Sequence, residues 1–409
     1  MTVAADLADE RLVQSKGLGG ALDLVWRRLR GGDLGSLPVV IGLIVICAVF
    51  YSLDPRFLSS FSLVNILAYA APIGIISLGI VLVLLLGEID LSVGSVSGMG
   101  AAVMAVLVVK ESQSLVLGMA AGVGVGVVVG LVYALLYTKL GIPSFVFSLA
   151  GLLGFQGVLL YILGSDGTIN LPPNSGLIEF ARFSYLTGTA AYVAVALVVA
   201  LYVAGGLWKV RQRKRADLSA PSLVTLGVKA GLLALGLGWL TWYLGVDRGW
   251  SYLFLLFAAL VVGMDLMLRR TRWGRHVFAV GGNEEAARRS GVKVGRIYVS
   301  VFVLTSTLAA LGGVLAAGQQ TSVSQATGTT DTNLMAIAAA VIGGTSLFGG
   351  RGSAYSAMLG IIVLQAIQSG LNIVGVDSSV RFMVTGAVLL LAVAIDSIAR
   401  RARSSSGRG

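Results

Sequence analysis

The stretch from Gly79 to Val109, GIVLVLLLGEIDLSVGSVSGMGAAVMAVLVV, joins two apolar runs through a short segment with two carboxylates. The apolar segments to which these runs belong, 64–86 and 91–109, are each close to the ~20 residues that a helix needs to cross the hydrocarbon core of a bilayer. Glu88 and Asp90 have no basic neighbour closer in sequence than Lys110. The pattern therefore predicts two membrane-embedded helices whose connection carries negative charge.

The composition extends this prediction to the whole chain. Of the 409 residues, 56% are hydrophobic and 12% are charged, whereas a soluble domain carries about a quarter charged residues. Apolar segments recur with the approximate bounds 38–53, 64–86, 91–109, 115–138, 144–164, 186–208, 222–245, 250–268, 297–317, 333–348, 354–375 and 380–398. They predict an all-α polytopic membrane protein with about twelve transmembrane helices.

The net charge of +11 comes largely from Lys and Arg clusters at the ends of these segments. Such clusters mark cytoplasmic loops and contact anionic lipid headgroups. We therefore expect cytoplasmic N- and C-termini, contact with membrane lipid and no binding of nucleic acid. The expected division is an N-terminal tail (1–36), a single transmembrane domain (37–399, with a cytoplasmic loop at 269–296) and a C-terminal tail (400–409).

The sequence offers little for catalysis. There is one cysteine, Cys47, and one histidine, His276, so neither an intrachain disulfide nor a His/Cys metal cluster is expected. The phosphate-binding pattern GxxxxGK[ST] and the Gly-x-Ser-x-Gly motif are both missing from the sequence. We expect no catalytic residue, no metal site and no cofactor bound by this chain.

A short helix is predicted in the loop 269–296. An N-cap residue, two acidic residues, two alanines, two arginines and a terminating glycine follow one another there, as Asn283, Glu284, Glu285, Ala286, Ala287, Arg288, Arg289 and Gly291. This order satisfies the free N–H groups at the start of a helix and complements its dipole at both ends. The loop is then either a solvated one with lipid-facing arginines or a docking knob for a cytoplasmic partner.

Three motifs, in this order along the chain, give the sequence its resemblance to a known family. They are GEIDLSVGS (87–95), AVGGNEEAARRSGV (279–292) and AAAVIGGTSLFGGRGS (338–353). From about residue 38 to 398 the chain resembles the transmembrane permeases of bacterial ribose/galactose/xylose-type sugar ABC importers. Members of this family typically have about ten spans. This chain has two extra apolar segments within 186–268, and in this respect it resembles the long, xylose-type form.

The resemblance implies the partners and the task of this chain. It implies a homodimeric permease of the inner membrane that imports a monosaccharide, with a pentose such as xylose expected. The sugar would come from a periplasmic or lipid-anchored binding protein, and a separate cytoplasmic ATPase would bind ATP and magnesium. The helix at 283–291 would be the coupling helix that docks on this ATPase. The alternative is an ion-coupled secondary transporter with relay carboxylates such as Glu88 and Asp90.

The carboxylates of the first motif have two interpretations. At the cytoplasmic end between two spans, Gly87 would end one helix, and Asp90 or Ser92 would cap the next. Alternatively, the helix breaks within the membrane, and the acids face an aqueous cavity. The resemblance marks motif residues without assigning them a role, namely Glu88, Asp90, Ser92, Gly343, Gly344, Gly349 and Gly350.

Polar residues at helical spacing indicate a substrate pathway. Gln365, Gln368 and Asn372 lie at i, i+3 and i+7 and so share one face. Their amides both donate and accept hydrogen bonds, which suits an uncharged, hydroxyl-rich solute. Together with Asn333, expected near the periplasmic mouth, they are candidate pathway residues. Hydrogen bonds between spans or between protomers would explain them equally well.

Two further patterns concern helix packing. Gly122, Gly126 and Gly130 lie four residues apart, which predicts a helix face that another helix approaches closely. The segment 333–348 has only about 15 apolar residues, too few to cross a bilayer core upright. We expect it to be tilted, or partly unwound beside a cavity.

Overall fold

The computed structural model describes residues 37–216, 218, 220 and 222–405. In this part of the chain the helices are α1 (Leu37–Leu53), α2 (Ser60–Leu85), α3 (Val93–Ala105), α4 (Leu115–Leu140), α5 (Ser144–Leu163), α6 (Gly176–Ile178), α7 (Gly188–Arg215), α8 (Leu223–Gly245), α9 (Tyr252–Arg270), α10 (Arg272–Gly282), α11 (Glu284–Arg289), α12 (Val294–Gln320), α13 (Thr330–Ile342), α14 (Ala354–Ile373) and α15 (Ser378–Ser405).

Short elements connect these helices. Pro55–Leu58 and Gly164–Asp166 are 3-10 turns, and Val106–Lys110 and Glu179–Phe183 are π-helical. The strands are β1 (Thr168–Asn170), β2 (Tyr185–Leu186), β3 (Trp250–Ser251) and β4 (Ser322–Ser324). β1 pairs antiparallel with β4, so that Ile169 lies opposite Val323, and β2 pairs with β3.

Each of the twelve predicted apolar segments forms a helix, which confirms the all-α polytopic fold. Nine helices of the described chain are long and apolar enough to cross a membrane, counting α3 together with its π-helical extension to Lys110. α1 and α13 are apolar but shorter, and α15 is the twelfth helix of the set. The predicted tail 1–36 lies outside the described residues, as do residues 406–409 of the C-terminal tail.

The described residues divide into two compact units. One comprises residues 185–250, in which α7 and α8 pack against each other. At its end the Trp250 indole donates a hydrogen bond to the Thr241 hydroxyl (3.0 Å), and the Arg248 guanidinium lies 5.1 Å from the centre of the Tyr185 ring. Most apolar side chains of α7 and α8 are exposed, as expected for helices that contact lipid tails.

The second unit, which contains the remaining helices, is built around α12. This helix packs against α2, α3 and α4. The predicted glycine face of α4 makes the closest approaches. A Cβ added at Gly126 would lie 2.3 Å from the Ser306 carbonyl oxygen, and one at Gly130 would lie 2.5 Å from the Val303 Cα. The glycine pattern therefore correctly predicted a close helix contact.

A smaller cluster fixes α1 at the start of this unit. Phe50 of α1 packs against Phe57, with ring centres 5.2 Å apart, and both contact apolar side chains of α2 and α14. Asp54 caps the turn between α1 and α2 by accepting the Arg56 backbone N–H at 2.8 Å. The Arg56 side chain also donates to Asp54 and lowers the pKa of that carboxyl below its usual value.

Helix α3 begins in the middle of the bundle. The Ser95 hydroxyl, in its first turn, donates to the carbonyl of Leu152 (2.8 Å), near the middle of the 20-residue helix α5. At the far end of α3, Lys110 forms an ion pair with Asp166, just beyond α5 (2.7 Å). We call this the β1 end of the bundle, and the opposite end, where α11 lies, the α11 end.

Helix α13 begins beside the start of α3 and runs toward the α11 end. Asn333, in its first turn, accepts a hydrogen bond from the Gly94 backbone N–H. α13 has 13 residues and is therefore about 20 Å long, short of a bilayer core of about 30 Å. After Ile342 the chain is non-helical up to Ser353. The segment 333–348 is thus partly unwound, one of the two expectations for it.

Candidate functional site

The three sequence motifs meet in one close-packed junction of main chain. The Leu85 carbonyl, at the end of α2, accepts the Gly350 backbone N–H at 2.9 Å. A Cβ at Gly281 of α10 would lie 1.7 Å from this same carbonyl oxygen, and one at Gly349 would lie 2.6 Å from the Gly281 oxygen. Real side chains do not tolerate such distances. We call Gly87, Gly281, Gly349 and Gly350 the glycine junction.

Gly87 ends α2 as the sequence predicts. Its φ is +82°, its N–H donates to the Leu84 carbonyl (2.9 Å), and the Glu88 N–H donates to the Val83 carbonyl (3.2 Å). Glycine is favoured here because a Cβ strains this left-handed conformation. The third motif contains two further glycines, Gly343 and Gly344. A Cβ at Gly343 would lie 1.8 Å from the Ser356 oxygen of α14, and Gly344 forms a turn with φ +102°.

The predicted helix at the α11 end is present with the expected cap. The Asn283 side chain accepts the Ala286 backbone N–H (2.9 Å), and Gly291 follows the helix with φ +84°. Each acidic residue of the first turn pairs with an arginine four positions later: Glu284 with Arg288 (2.5 Å), and Glu285 with Arg289 (3.0 Å). These are exposed pairs, worth about 0.3–0.5 kcal/mol each. Ala287 is buried, so α11 rests on the bundle through one face.

Two tyrosines connect α11 with the first motif. The Tyr137 hydroxyl donates to Glu88 Oε1 (2.7 Å), and the Tyr298 hydroxyl donates to Glu284 Oε2 (3.3 Å). The two rings pack together, with centres 4.3 Å apart. All four residues line a cavity of about 870 Å³, which Arg288 also borders. The chain of contacts therefore runs from α11 through both rings to the segment that follows α2.

Asp90 lies inside the bundle, with 1% of its surface exposed. Its Oδ1 accepts the backbone N–H of Ser92 (2.8 Å) and the Ser92 hydroxyl (2.7 Å). The Ser92 hydroxyl in turn accepts a hydrogen bond from the Tyr133 hydroxyl (2.7 Å). Ser92 occupies the N-cap position of α3, but its side chain makes no capping bond. Asp90 thus holds Ser92 in place just before α3, but neither residue makes the predicted capping bond, and the start of α3 lies within the bundle, as the other interpretation predicts.

The segment 86–92 is held between α4 and α5. The Ser144 hydroxyl, at the start of α5, accepts the Ile89 backbone N–H (3.3 Å). Glu88 is half-buried toward the α11 end, whereas Asp90 is enclosed. The segment consequently carries the chain from the glycine junction to the middle of the bundle, and its two carboxylates have different surroundings.

The predicted polar row on α14 faces α15. The Gln368 side chain donates to the Thr385 hydroxyl (3.2 Å), and Asn372 accepts a hydrogen bond from Arg381. Gln365 is half-buried on the same helix. Asn333 lies apart from this row, where its Oδ1 accepts the Gly94 N–H and 2% of its surface is exposed. Two of the three residues in the row therefore make hydrogen bonds between helices.

Tyr133, Tyr137 and Tyr298 were not singled out from the sequence. Tyr133 and Tyr137 lie four residues apart on α4 and so share a face of an otherwise apolar helix. That spacing is the signal that could have identified them. In the part of the chain that the structure describes, no three His, Cys, Asp or Glu side chains lie close enough together to hold a metal ion.

The sequence matches a known family over most of its length. Residues 62–393 match the family described as "Branched-chain amino acid transport system / permease component". The chain belongs to this family of transport permeases. The resemblance to ribose- and xylose-type sugar ABC importer permeases is thereby confirmed at the level of the family, and individual relatives confirm it further.

This permease is similar to sugar permeases of several bacteria. It is 33% identical over 366 residues to the xylose transport system permease protein of Escherichia coli (strain K12), covering 89% of this chain and 92% of the relative. The xylose permease of Haemophilus influenzae is 30% identical over 371 residues (90% and 98%). The ribose import permease protein of Bacillus subtilis (strain 168) is 31% identical over 365 residues (89% and 94%). No solved structure matches the chain.

Proposed function

We propose that this permease is the membrane-spanning subunit of an ATP-driven importer that carries a monosaccharide, a pentose such as xylose, across the inner membrane. The family supports the role of a transport permease. Relatives that cover about nine-tenths of this chain are named for xylose and for ribose. Both sugars are pentoses, which supports that class of substrate.

The observation that carries the coupling proposal is the shape of α11. Six residues rarely form a stable helix in water, yet α11 has a side-chain cap, two internal ion pairs and a left-handed glycine after its end. Its charged face is exposed, and its other face contacts the bundle through Ala287. A preformed, exposed helix of this kind suits docking in a cleft of a separate ATPase subunit, which would bind ATP and magnesium.

A displacement of α11 would reach the interior by two routes. The first runs through α10 to the glycine junction, where Gly281 contacts the end of α2. The second runs through Tyr298 and Tyr137 to Glu88. Both routes end at the segment 86–92, which precedes α3. Coupling of this kind moves packed elements as rigid bodies, and we propose that it changes which end of the bundle opens.

The proposed coupling also suggests where the remaining partners would bind. We propose that the α11 end faces the cytoplasm, where the Arg-rich stretch 269–275 would contact anionic headgroups. The β1 end would then receive sugar from a periplasmic or lipid-anchored binding protein. A second copy of the chain would complete the pathway. The chain itself would bind no cofactor.

The test is reconstitution of this permease in proteoliposomes with its ATPase and binding protein. Uptake of radiolabelled D-xylose and D-ribose is measured with ATP supplied on the side of the ATPase. We expect uptake that requires all three proteins and stops when an ATP analogue that cannot be hydrolysed replaces ATP. The matched control omits the ATPase and imposes a proton or sodium gradient. Sugar uptake driven by that gradient alone would overturn the proposal in favour of a secondary transporter.

A further inference from the structure

Two polar atoms lie buried near the start of α3 without a hydrogen-bond partner in the described part of the chain. They are Oδ2 of Asp90 and Nδ2 of Asn333. The other polar atom of each side chain is occupied, since Asp90 Oδ1 accepts from Ser92 and Asn333 Oδ1 accepts from the Gly94 N–H. Each side chain is therefore fixed through one atom and presents the other atom unsatisfied.

The two side chains lie where the N-termini of two helices meet. Asp90 precedes α3 by three residues, and Asn333 lies in the first turn of α13. The first N–H groups of a helix lack partners within the helix, and the dipole makes this end positive. The hydrogen bond from Gly94 to Asn333 ties the two starts together. Discontinuous helices with facing ends are a known way of building polar sites inside membrane proteins.

We propose that Asp90 and Asn333 form an intramembrane binding site for the hydroxyl groups of the transported solute. This inference rests on the proposed function and adds the place where the sugar binds. A hydroxyl group both donates and accepts, so a polyol can donate to Asp90 Oδ2 and accept from Asn333 Nδ2. One free acceptor and one free donor make a poor site for a metal cation, which needs several oxygen ligands.

The site is closed in this structure, and the contact that covers it joins main-chain groups. Residues 327–328 cover the first turns of α3 from the β1 end. A Cβ at Gly98 would lie 2.3 Å from the Thr327 oxygen, and one at Gly328 would lie 2.1 Å from the Gly94 oxygen. Glycines have no side chains that could interlock at this contact. The covering loop can therefore withdraw here without repacking side chains.

Isosteric substitutions test the two unsatisfied atoms separately. Asn333→Asp keeps the oxygen that accepts from Gly94 but replaces the free donor with an acceptor. Asp90→Asn keeps the oxygen that accepts from Ser92 but replaces the free acceptor with a donor. The matched control is Ser77→Ala, because the Ser77 hydroxyl is also buried without a partner but lies within α2, at a distance in sequence from both helix starts.

Each variant is reconstituted with the ATPase and the binding protein, and D-xylose uptake and ATP hydrolysis are measured together. We expect each isosteric swap to lower the sugar moved per ATP at least tenfold, while ATP hydrolysis stays within twofold of the wild type. Ser77→Ala should leave both rates unchanged. The double variant Asp90→Asn with Asn333→Asp again has one donor and one acceptor, and we expect it to recover part of the uptake.

Three results would overturn the inference. One is an unchanged ratio of sugar to ATP in both swaps, as expected if buried water satisfies the two atoms. Another is an equal loss of uptake and hydrolysis in well-assembled swaps, which would indicate a structural role. If a swap fails to assemble with the ATPase, the double variant is assayed instead, and absence of recovery there counts against the site. Failure of the wild type to take up either pentose with ATP would instead refute the proposed function.

Discussion

Tyr137 donates a hydrogen bond of 2.7 Å to Glu88 and so connects the last turn of α4 to the segment that follows α2. The Tyr137 ring also packs against Tyr298, with an angle of 35° between the ring planes, and the Tyr298 hydroxyl contacts Glu284 of α11. A carboxylate that follows an apolar span is thereby linked to the helix proposed to dock on the ATPase. The two carboxylates therefore have different surroundings, since Glu88 contacts Tyr137 near the α11 end and Asp90 lies in the interior.

Removing only the Tyr137 hydroxyl should weaken coupling. Tyr137→Phe keeps the ring contact with Tyr298 but removes the hydrogen bond to Glu88, a loss of about 1 kcal/mol. We expect the sugar moved per ATP to fall several-fold, with little change in the melting temperature. Tyr161→Phe, at an exposed tyrosine of α5, is the control. Normal coupling in Tyr137→Phe would show that the hydroxyl plays no part in transmission.

Substitutions at two neighbouring glycines, Gly281 inside the glycine junction and Gly282 outside it, should have different effects. Gly281→Ala would place a Cβ 1.7 Å from the Leu85 oxygen, whereas a Cβ at Gly282 would meet nothing within 4 Å. Overpacking of this kind typically costs about 1–3 kcal/mol. We therefore expect Gly281→Ala to lower the melting temperature and to abolish ATP-dependent uptake, and Gly282→Ala to do neither. Equal behaviour of the two variants in thermal unfolding and uptake would contradict the junction.

Loss of the α11 cap should weaken ATPase docking. Asn283→Ala leaves the Ala286 N–H without its acceptor, and losing such a cap costs about 0.5–2 kcal/mol of helix stability. We expect binding of the purified ATPase to weaken by up to about thirtyfold, as measured by titration in detergent. Asn283→Asp retains an acceptor and should bind like the wild type. If Asn283→Ala also binds normally, α11 does not need to be preformed.

Substitutions on α14 and α15 should separate a pathway role of Gln368 from a structural one. Gln368→Leu removes the amide, whereas Thr385→Val removes the same hydrogen bond from the side of α15. We expect Gln368→Leu to slow sugar uptake and to leave ATPase docking intact, with a smaller effect of Thr385→Val. Uptake rates that fall equally in both variants would assign Gln368 to helix packing and end its candidacy as a pathway residue.

Local signals in the sequence predicted the local structure well. The cap of α11 depends on residues within three to eight positions of one another, so Asn283 and Gly291 could both be located from spacing alone. The close face of α4 was also predicted, because glycines four residues apart permit only one kind of contact. Both features follow from short-range geometry that does not depend on the rest of the fold.

Depth within the bundle could not be predicted in the same way. The alternation of membrane spans predicts on which side of the membrane a loop lies. It does not predict that the chain returns into the bundle before α3 begins. That re-entry depends on partners distant in sequence, namely Ser144 for Ile89, Tyr133 for Ser92 and Asn333 for Gly94. The convergence of three motifs on the glycine junction likewise requires knowledge of which helix ends meet.

The contact of Gly281 with Leu85 has a mechanical consequence. Side chains can absorb a small shift between helices by changing rotamer, but this contact joins peptide groups directly and has no torsion free to yield. A push applied at α10 must therefore move α2 as a whole or not move it at all. The contact between α10 and α2 is therefore rigid, and any flexibility that transport requires has to come from other parts of the polypeptide.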